Sequence, residues 1–175
     1  MTFPTADHRR KPFPAGLLAQ ARFDSPVGEL TAAATARGIA LLWFDAPALA
    51  QIPTGPAHPW LARLGEQLAR YWQDSRQTFD VPLDMHGTPF QRAVWRALCG
   101  IPSGQTCSYA DIAQRVGTPA AVRAVGAANG ANPVAIVVPC HRVIGRDGTL
   151  TGYGGGLPRK ATLLQHESAQ GTLLA

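Results

Sequence analysis

The sequence is poor in residues that several broad protein classes require. It holds only three cysteines, Cys99, Cys107 and Cys140, with no Cys-x-x-Cys pair, and its five histidines are scattered. A disulfide framework or a closed zinc site is therefore not expected, and no cofactor or metal is. No apolar run approaches the roughly 20 residues of a membrane span. The basic, proline-bearing start from Met1 to Pro14 lacks the following apolar segment of a secretory signal. These absences predict a soluble, cytoplasmic protein. The glycine-rich stretch Thr151-Gly152-Tyr153-Gly154-Gly155-Gly156 lacks the Gly-Lys-Ser/Thr ending of a phosphate-binding loop. It reads as a flexible wall around Tyr153.

Acidic residues are scarce in one half only. Residues 1–86 carry eight basic and eight acidic groups, whereas residues 87–175 carry eight basic and three acidic. The whole net charge of +5 thus lies in the second half, and fourteen of the sixteen basic residues are arginine. A basic half points to a polyanionic partner, although it also serves solubility.

The first half reads as a small antiparallel meander. Leu18–Phe23, Leu30–Thr35 and Ile39–Phe44 have strand character, with Ser25-Pro26-Val27-Gly28 and Arg37-Gly38 as turns. After a loop over 46–59, Pro59 opens a helix covering Trp60–Trp72. Its Leu61, Leu64, Leu68 and Tyr71/Trp72 recur at helical spacing. This helix is read as packing on the sheet, with nothing chemical in it. Thr78–Val81 reads as one more strand.

The second half opens with Thr88-Pro89-Phe90-Gln91, a capping sequence, and the apolar stripe Phe90, Val94, Trp95 and Leu98. A second capping box, Ser108-Tyr109-Ala110-Asp111, starts a helix through Val116. Gly117 ends it, and Thr118-Pro119 is read as the cap of a third helix from Ala120 to Ala128, stopping at Asn129-Gly130. Two short helices across a tight turn form a helix-turn-helix pattern. The second is rich in alanine and glycine with one arginine, Arg123, so it has few side chains for base edges. Such a helix either packs tightly in a core or approaches DNA closely without reading its sequence.

Val134-Ala135-Ile136-Val137-Val138 reads as a buried strand ended by Pro139, which delivers Cys140 beside His141. A cysteine becomes a nucleophile as its thiolate, and a nearby base generates it. His141 could reach Cys140 directly or through one water. The histidine in turn needs a carboxylate. Asp147 lies in a surface turn and Asp111 caps a helix, so Glu167 remains by elimination. Cys99 and Cys107 are read as buried packing, and Trp95 as core.

Pro139-Cys140-His141-Arg142-Val143, preceded by Asn132-Pro133-Val134, resembles the active-site motif of the O6-alkylguanine-DNA alkyltransferases. Ser108-Tyr109, Arg123-Ala124-Val125-Gly126, the Tyr153 glycine loop and His166-Glu167 follow in that family's order and spacing, so the resemblance covers about residues 87–168. The first half is similar to the family's N-terminal sheet domain only in length and pattern.

The resemblance implies an α+β chain of two domains. An N-terminal RNase H-like sheet with a covering helix would precede a helical domain with a winged helix-turn-helix. The bounds are 1–16 for a flexible start, 17–81 for the sheet domain, 82–87 for a linker and 88–175 for the alkyl-transfer domain. The resemblance further implies direct-reversal DNA repair. The alkyl group of O6-alkylguanine, with O4-alkylthymine as a further substrate, would pass once to Cys140. Glu167 would orient His141, which takes the Cys140 proton through a water. Tyr109 would act as acid toward the leaving guanine, and Asn132 would tie the recognition helix to the active-site turn. Arg123 would fill the space of the flipped nucleotide, with Thr118, Ala124, Ala127 and Gly130 along the DNA. Val134, Ala135, Val143, Tyr153, Gly154 and Gly155 would line the pocket. Ala135, where some relatives have proline, and the all-glycine loop lead us to expect a roomier pocket. The expected partner is double-stranded DNA, bound through the minor groove without sequence specificity by a monomer, with cooperativity left open. The competing readings are a non-catalytic binder of alkylated DNA, a helix-turn-helix regulator and a cysteine hydrolase, which would turn over repeatedly.

Overall fold

Short apolar strands and two tight turns build the first unit. The computed structural model describes residues 14–55 and 58–171. The expected flexible start lies largely outside them. Strands β1 (Ala19–Phe23), β2 (Leu30–Ala34) and β3 (Ile39–Phe44) form an antiparallel sheet in the order β1-β2-β3, as their turns predict. Gly28 and Gly38 in those turns have φ of +100° and +159°, and a Cβ at Gly38 would lie 2.4 Å from the Pro82 carbonyl oxygen. Every residue of β2 and β3 is buried. Helix α1 (Pro59–Gln73) turns Leu61, Leu64, Leu68 and Tyr71 inward, as its spacing predicts.

The far edge of β3 would be an open ladder, which proteins rarely leave exposed. Two later segments close it. Leu83 forms a parallel bridge to Ile39, and Val134 a parallel bridge to Leu42. The expected strand Thr78–Val81 does not form; the chain is irregular there, and the pairing falls at Leu83 instead.

Helix α2 (Pro89–Cys99) begins with the Thr88/Gln91 capping box, and α3 (Tyr109–Arg115) with the Ser108/Asp111 box. Each such cap is worth about 1 kcal/mol. Helix α4 (Val122–Gly130) starts two residues later than its sequence suggests. Its N-cap is Ala121, without a side-chain bond, because Thr118–Ala121 close a separate turn through Ala121 N–H to Thr118 O at 2.8 Å. The helix also runs on through Asn129-Gly130. Strands β4 (Cys107–Ser108) and β5 (Val143–Ile144) pair in parallel, and α5 (Leu157–Gly171) closes the chain. No helix among the described residues is long and apolar enough to cross a membrane.

One arginine fastens α5 to the sheet. Arg159, 1% exposed, donates from Nε to Val27 O (2.8 Å) and from Nη1 to Gly155 O (3.1 Å), pairs with Asp45 at 2.5 Å, and stacks on Phe44.

Candidate active site

The apolar run 134–138 is not a strand. It has a single bridge, at Val134, and then winds into turns. Val137 N–H bonds back to Ala135 O at 2.8 Å, with Ile136 at φ +70° between them. That is the strained form of the three-residue turn, and a β-branched residue there costs of order 1–3 kcal/mol. Cys140 N–H then bonds Val138 O at 2.8 Å around Pro139 (φ −81°, ψ 63°), the relaxed form of the same turn. Cys140–Arg142 follow as one 3₁₀ turn. Cys140 therefore sits on two linked tight turns held by the β3 edge, rather than at a strand end.

Asn132, fully buried, locks this arrangement. Its Nδ2 donates to Val138 O (2.7 Å) and to the Cys140 sulfur (3.0 Å), while Oδ1 accepts from Val134 N–H (3.0 Å). Asn129, at the end of α4, donates to Cys140 O at 3.3 Å. Both asparagines thus connect the helix-turn-helix to the cysteine. A donor on sulfur favours the anionic nucleophile.

His141 and Glu167 meet. Both are buried, and His141 Nε2 lies 2.8 Å from Glu167 Oε1. Arg142 adds two bonds, Nε to Oε2 at 2.9 Å and Nη2 to Oε1 at 2.8 Å. Burial alone would raise the Glu167 pKa, but the bonds from His141 and Arg142 outweigh it and hold it down at about 2. Burial pushes His141 the other way, below the usual histidine value, against the pull of Glu167. At rest the pair is a carboxylate and a neutral imidazole. The carboxylate fixes the proton on Nε2, leaving Nδ1 as the basic nitrogen. Nδ1 is buried and has no hydrogen-bond partner among the described residues.

Tyr109 hydroxyl donates to Thr151 O at 3.1 Å, and burial raises its pKa, so it remains a donor. The same carbonyl accepts from Lys160 Nζ (2.8 Å), which also donates to Val143 O at 2.6 Å. Lys160 is fully buried, and burial pushes its pKa down to about 8.

The glycine loop is not loose. A Cβ on Gly154 would lie 2.9 Å from the Trp43 ring, and one on Gly155 would lie 2.7 Å from Phe44. The glycines let the loop press onto β3, and aromatic side chains already fill the space they would leave. The roominess expected from the glycines has no support here. Tyr153 packs edge-on against Phe44, with ring centroids 6.1 Å apart. Gly155→Ala should cost about 1–3 kcal/mol, as inserted carbon in a packed core does, read as a lower urea midpoint at unchanged slope.

Helix α4 divides into two faces. Val125, Ala128 and Asn129 are buried, and Arg123, Ala124, Ala127 and Gly130 are exposed, as is Thr118 ahead of the helix. Val134, Ala135 and Val143 are fully buried. Cys99 is exposed and Cys107 half-buried, contrary to their expected packing role, because α2 turns Cys99 away from its Val94/Trp95/Leu98 face and Cys107 sits on a two-residue strand. Trp95 is core, its Nε1 donating to Ala128 O.

Three contributors lie outside the residues singled out as catalytic or pocket groups. Arg142 belongs to the Pro139–Val143 motif, which by itself gives it no role. Lys160 carries no local signal beyond its helix. Tyr71 reads as packing from its helical spacing, yet its hydroxyl donates to Glu167 Oε1 at 2.8 Å across 96 residues of sequence.

This constellation is matched in known proteins. The ribonuclease-like domain of 6-O-methylguanine DNA methyltransferase matches residues 18–85, and the DNA binding domain of the same family matches residues 89–169. The chain belongs to the 6-O-methylguanine DNA methyltransferase family. A methylated-DNA–protein-cysteine methyltransferase of Mycolicibacterium paratuberculosis is 62% identical over 102 residues, which is 58% of this chain and 62% of that relative's length. One from Mycobacterium leprae is 53% identical over 66% of this chain and 70% of its own. Among solved structures, Mycobacterium tuberculosis OGT in complex with DNA superposes with a TM-score of 0.81 at 44% identity, covering 87% of this chain and 94% of that one. The methyltransferase fold is thus a mixed α+β chain, with a ribonuclease-like sheet domain ahead of a DNA-binding domain.

Proposed function

We propose that this chain repairs DNA by taking the alkyl group of O6-alkylguanine onto Cys140, once per molecule. The observation that carries the reading is the buried Glu167–His141 pair, next in sequence to a Cys140 whose sulfur already accepts a bond from Asn132. His141 Nδ1 accepts the Cys140 proton, directly or through a water, and Glu167 stabilises the resulting imidazolium. The thiolate attacks the alkyl carbon, the carbon–oxygen bond breaks, and guanine leaves with its developing charge met by a hydrogen bond from the Tyr109 hydroxyl. Solvent supplies the guanine proton, and His141 returns its own to solvent. Tyr109 must exchange its bond to Thr151 O for this. The methyltransferase relatives carry the activity in their names, and the tuberculosis relative was solved with DNA.

Cys140 is 2% exposed, so a base must leave its stack to reach it. The exposed face of α4, with its small residues, suits close approach in the minor groove, where Arg123 would fill the vacated place. Such contacts read no sequence. That face also argues against an operator-specific regulator, and the presence of Cys140 argues against a non-catalytic binder. O4-alkylthymine is a second candidate substrate.

The direct test is intact-mass measurement after incubation with an O6-methylguanine duplex. One added methylene mass, localised to Cys140, is expected, and repeated turnover sinks the reading. Arg123→Ala should slow repair in duplex at least about tenfold, the scale of a few kcal/mol of flipping cost, while changing attack on the free alkylated base less than about twofold. Equal losses on both substrates remove its flipping role.

A further inference from the structure

One buried hydroxyl of the sheet domain is unused by this mechanism. Tyr71 lies near the end of α1, fully buried. Its ring packs on Trp72, Phe79 and His166, with centroids 4.8, 5.5 and 5.1 Å away. Phenylalanine would satisfy that packing, and a buried hydroxyl is costly without a partner. The partner here is the carboxylate of the relay. Glu167 Oε1 accepts from Tyr71 Oη, His141 Nε2 and Arg142 Nη2, each at 2.8 Å, while Oε2 accepts from Arg142 Nε at 2.9 Å. Three donors from two domains converge on one oxygen.

We propose that Tyr71 is a positioning residue for alkyl transfer: through its hydroxyl the sheet domain holds the Glu167 carboxylate against His141 and sets how strongly it stabilises the His141 imidazolium. The proposal rests on His141 being the base for Cys140.

The physical reason is the sharing of charge. A carboxylate oxygen with three donors attracts each less than it would attract two. Withdrawing Tyr71 concentrates the charge on His141 and Arg142, and His141 becomes easier to protonate. A base needed in its neutral form is then lost at higher pH. The other groups around the pair oppose protonation or stay fixed. Arg142 on the 3₁₀ turn and Lys160 on α5 both disfavour a charged His141. Tyr153 of the glycine loop is held neutral by burial, with the charges of Cys140 and Glu167 acting in the same direction. Tyr71 itself is driven up, first by burial and then by the Glu167 charge, so it serves only as a donor.

The test is Tyr71→Phe in the full chain, which keeps the ring. Single-turnover alkyl transfer on an O6-methylguanine duplex is followed from pH 5 to 9, and the His141 ring nitrogens are titrated by ¹⁵N NMR in the unreacted protein. The acid limb should move up by about half a pH unit, seen as roughly threefold slower transfer at its foot and less than about twofold at the plateau. The His141 titration should move in the same direction, with DNA affinity unchanged. A profile that superposes on the wild type after scaling, with an unmoved His141 titration, leaves Tyr71 a packing residue and overturns the proposal. If the wild-type chain transfers no alkyl group, the repair reading fails, and the His141 titration still decides the role of Tyr71.

Discussion

Cys140→Ser should abolish alkyl transfer, by a factor of order 10³ or more, while leaving affinity for a duplex within about twofold. The substitution exchanges one atom at a site that is 2% exposed. The hydroxyl can keep the bond from Asn132, so the linked turns and α4 should stand. What is lost is acidity. A neutral imidazole can ionise a thiol far more readily than an alcohol. The exposed face of α4 that would meet DNA lies on the opposite side of the helix from Asn129, which bonds Cys140 O. Rates come from single-turnover assays and affinity from a gel shift. Residual transfer would move the nucleophile elsewhere, with the exposed Cys99 and half-buried Cys107 the first places to look.

Glu167→Gln should damage both folding and chemistry. The amide presents hydrogens where the carboxylate accepted bonds from Tyr71, His141 and Arg142. Removing one member of a buried ion pair commonly costs about 3–5 kcal/mol, and loss of an oriented base costs roughly 10²–10⁴ in rate. The stability loss should depend on pH with a definite sign. The folded pKa of about 2 lies below the ordinary 4.5. A depressed carboxylate stabilises the fold fully above its unfolded pKa and loses that contribution as pH falls through the folded one. At about 1.4 kcal/mol per unit, the window from 4.5 down to 2 holds on the order of 3 kcal/mol. Urea unfolding should therefore separate wild type from variant widely at pH 7 and much less at pH 2.5. An equal gap at both would mean that Glu167 is not held ionised in the fold.

How far these features could be read from the chain depends on the range of the interaction that makes them. The β1-β2-β3 meander, both capping boxes and the inward stripe of α1 follow from residues close in sequence, and they stand where local rules put them. The run from Val134 to Val138 forms turns in place of the expected strand, because apolar composition reports burial, not conformation. Tertiary contacts at the β3 edge impose the φ of +70° at Ile136, which no local preference would choose. Helix α4 starts late because a proline turn precedes it. Cys140, His141 and Glu167 were legible through motif and charge scarcity. Tyr71 was not, since a tyrosine at a core position of an amphipathic helix looks the same whether or not its hydroxyl finds a carboxylate 96 residues away.

The tight seat of Gly154 on Trp43 carries an optical consequence. Trp43 is 2% exposed and lies against Gly154 of the glycine loop, so its emission should report the loop's position. If the proposed flipped base moves the loop off the indole face, the polarity and quenching that the indole senses should change. Stopped-flow fluorescence, with Trp43→Phe as the silent control against the other three tryptophans, would then time the opening of the site separately from the transfer itself.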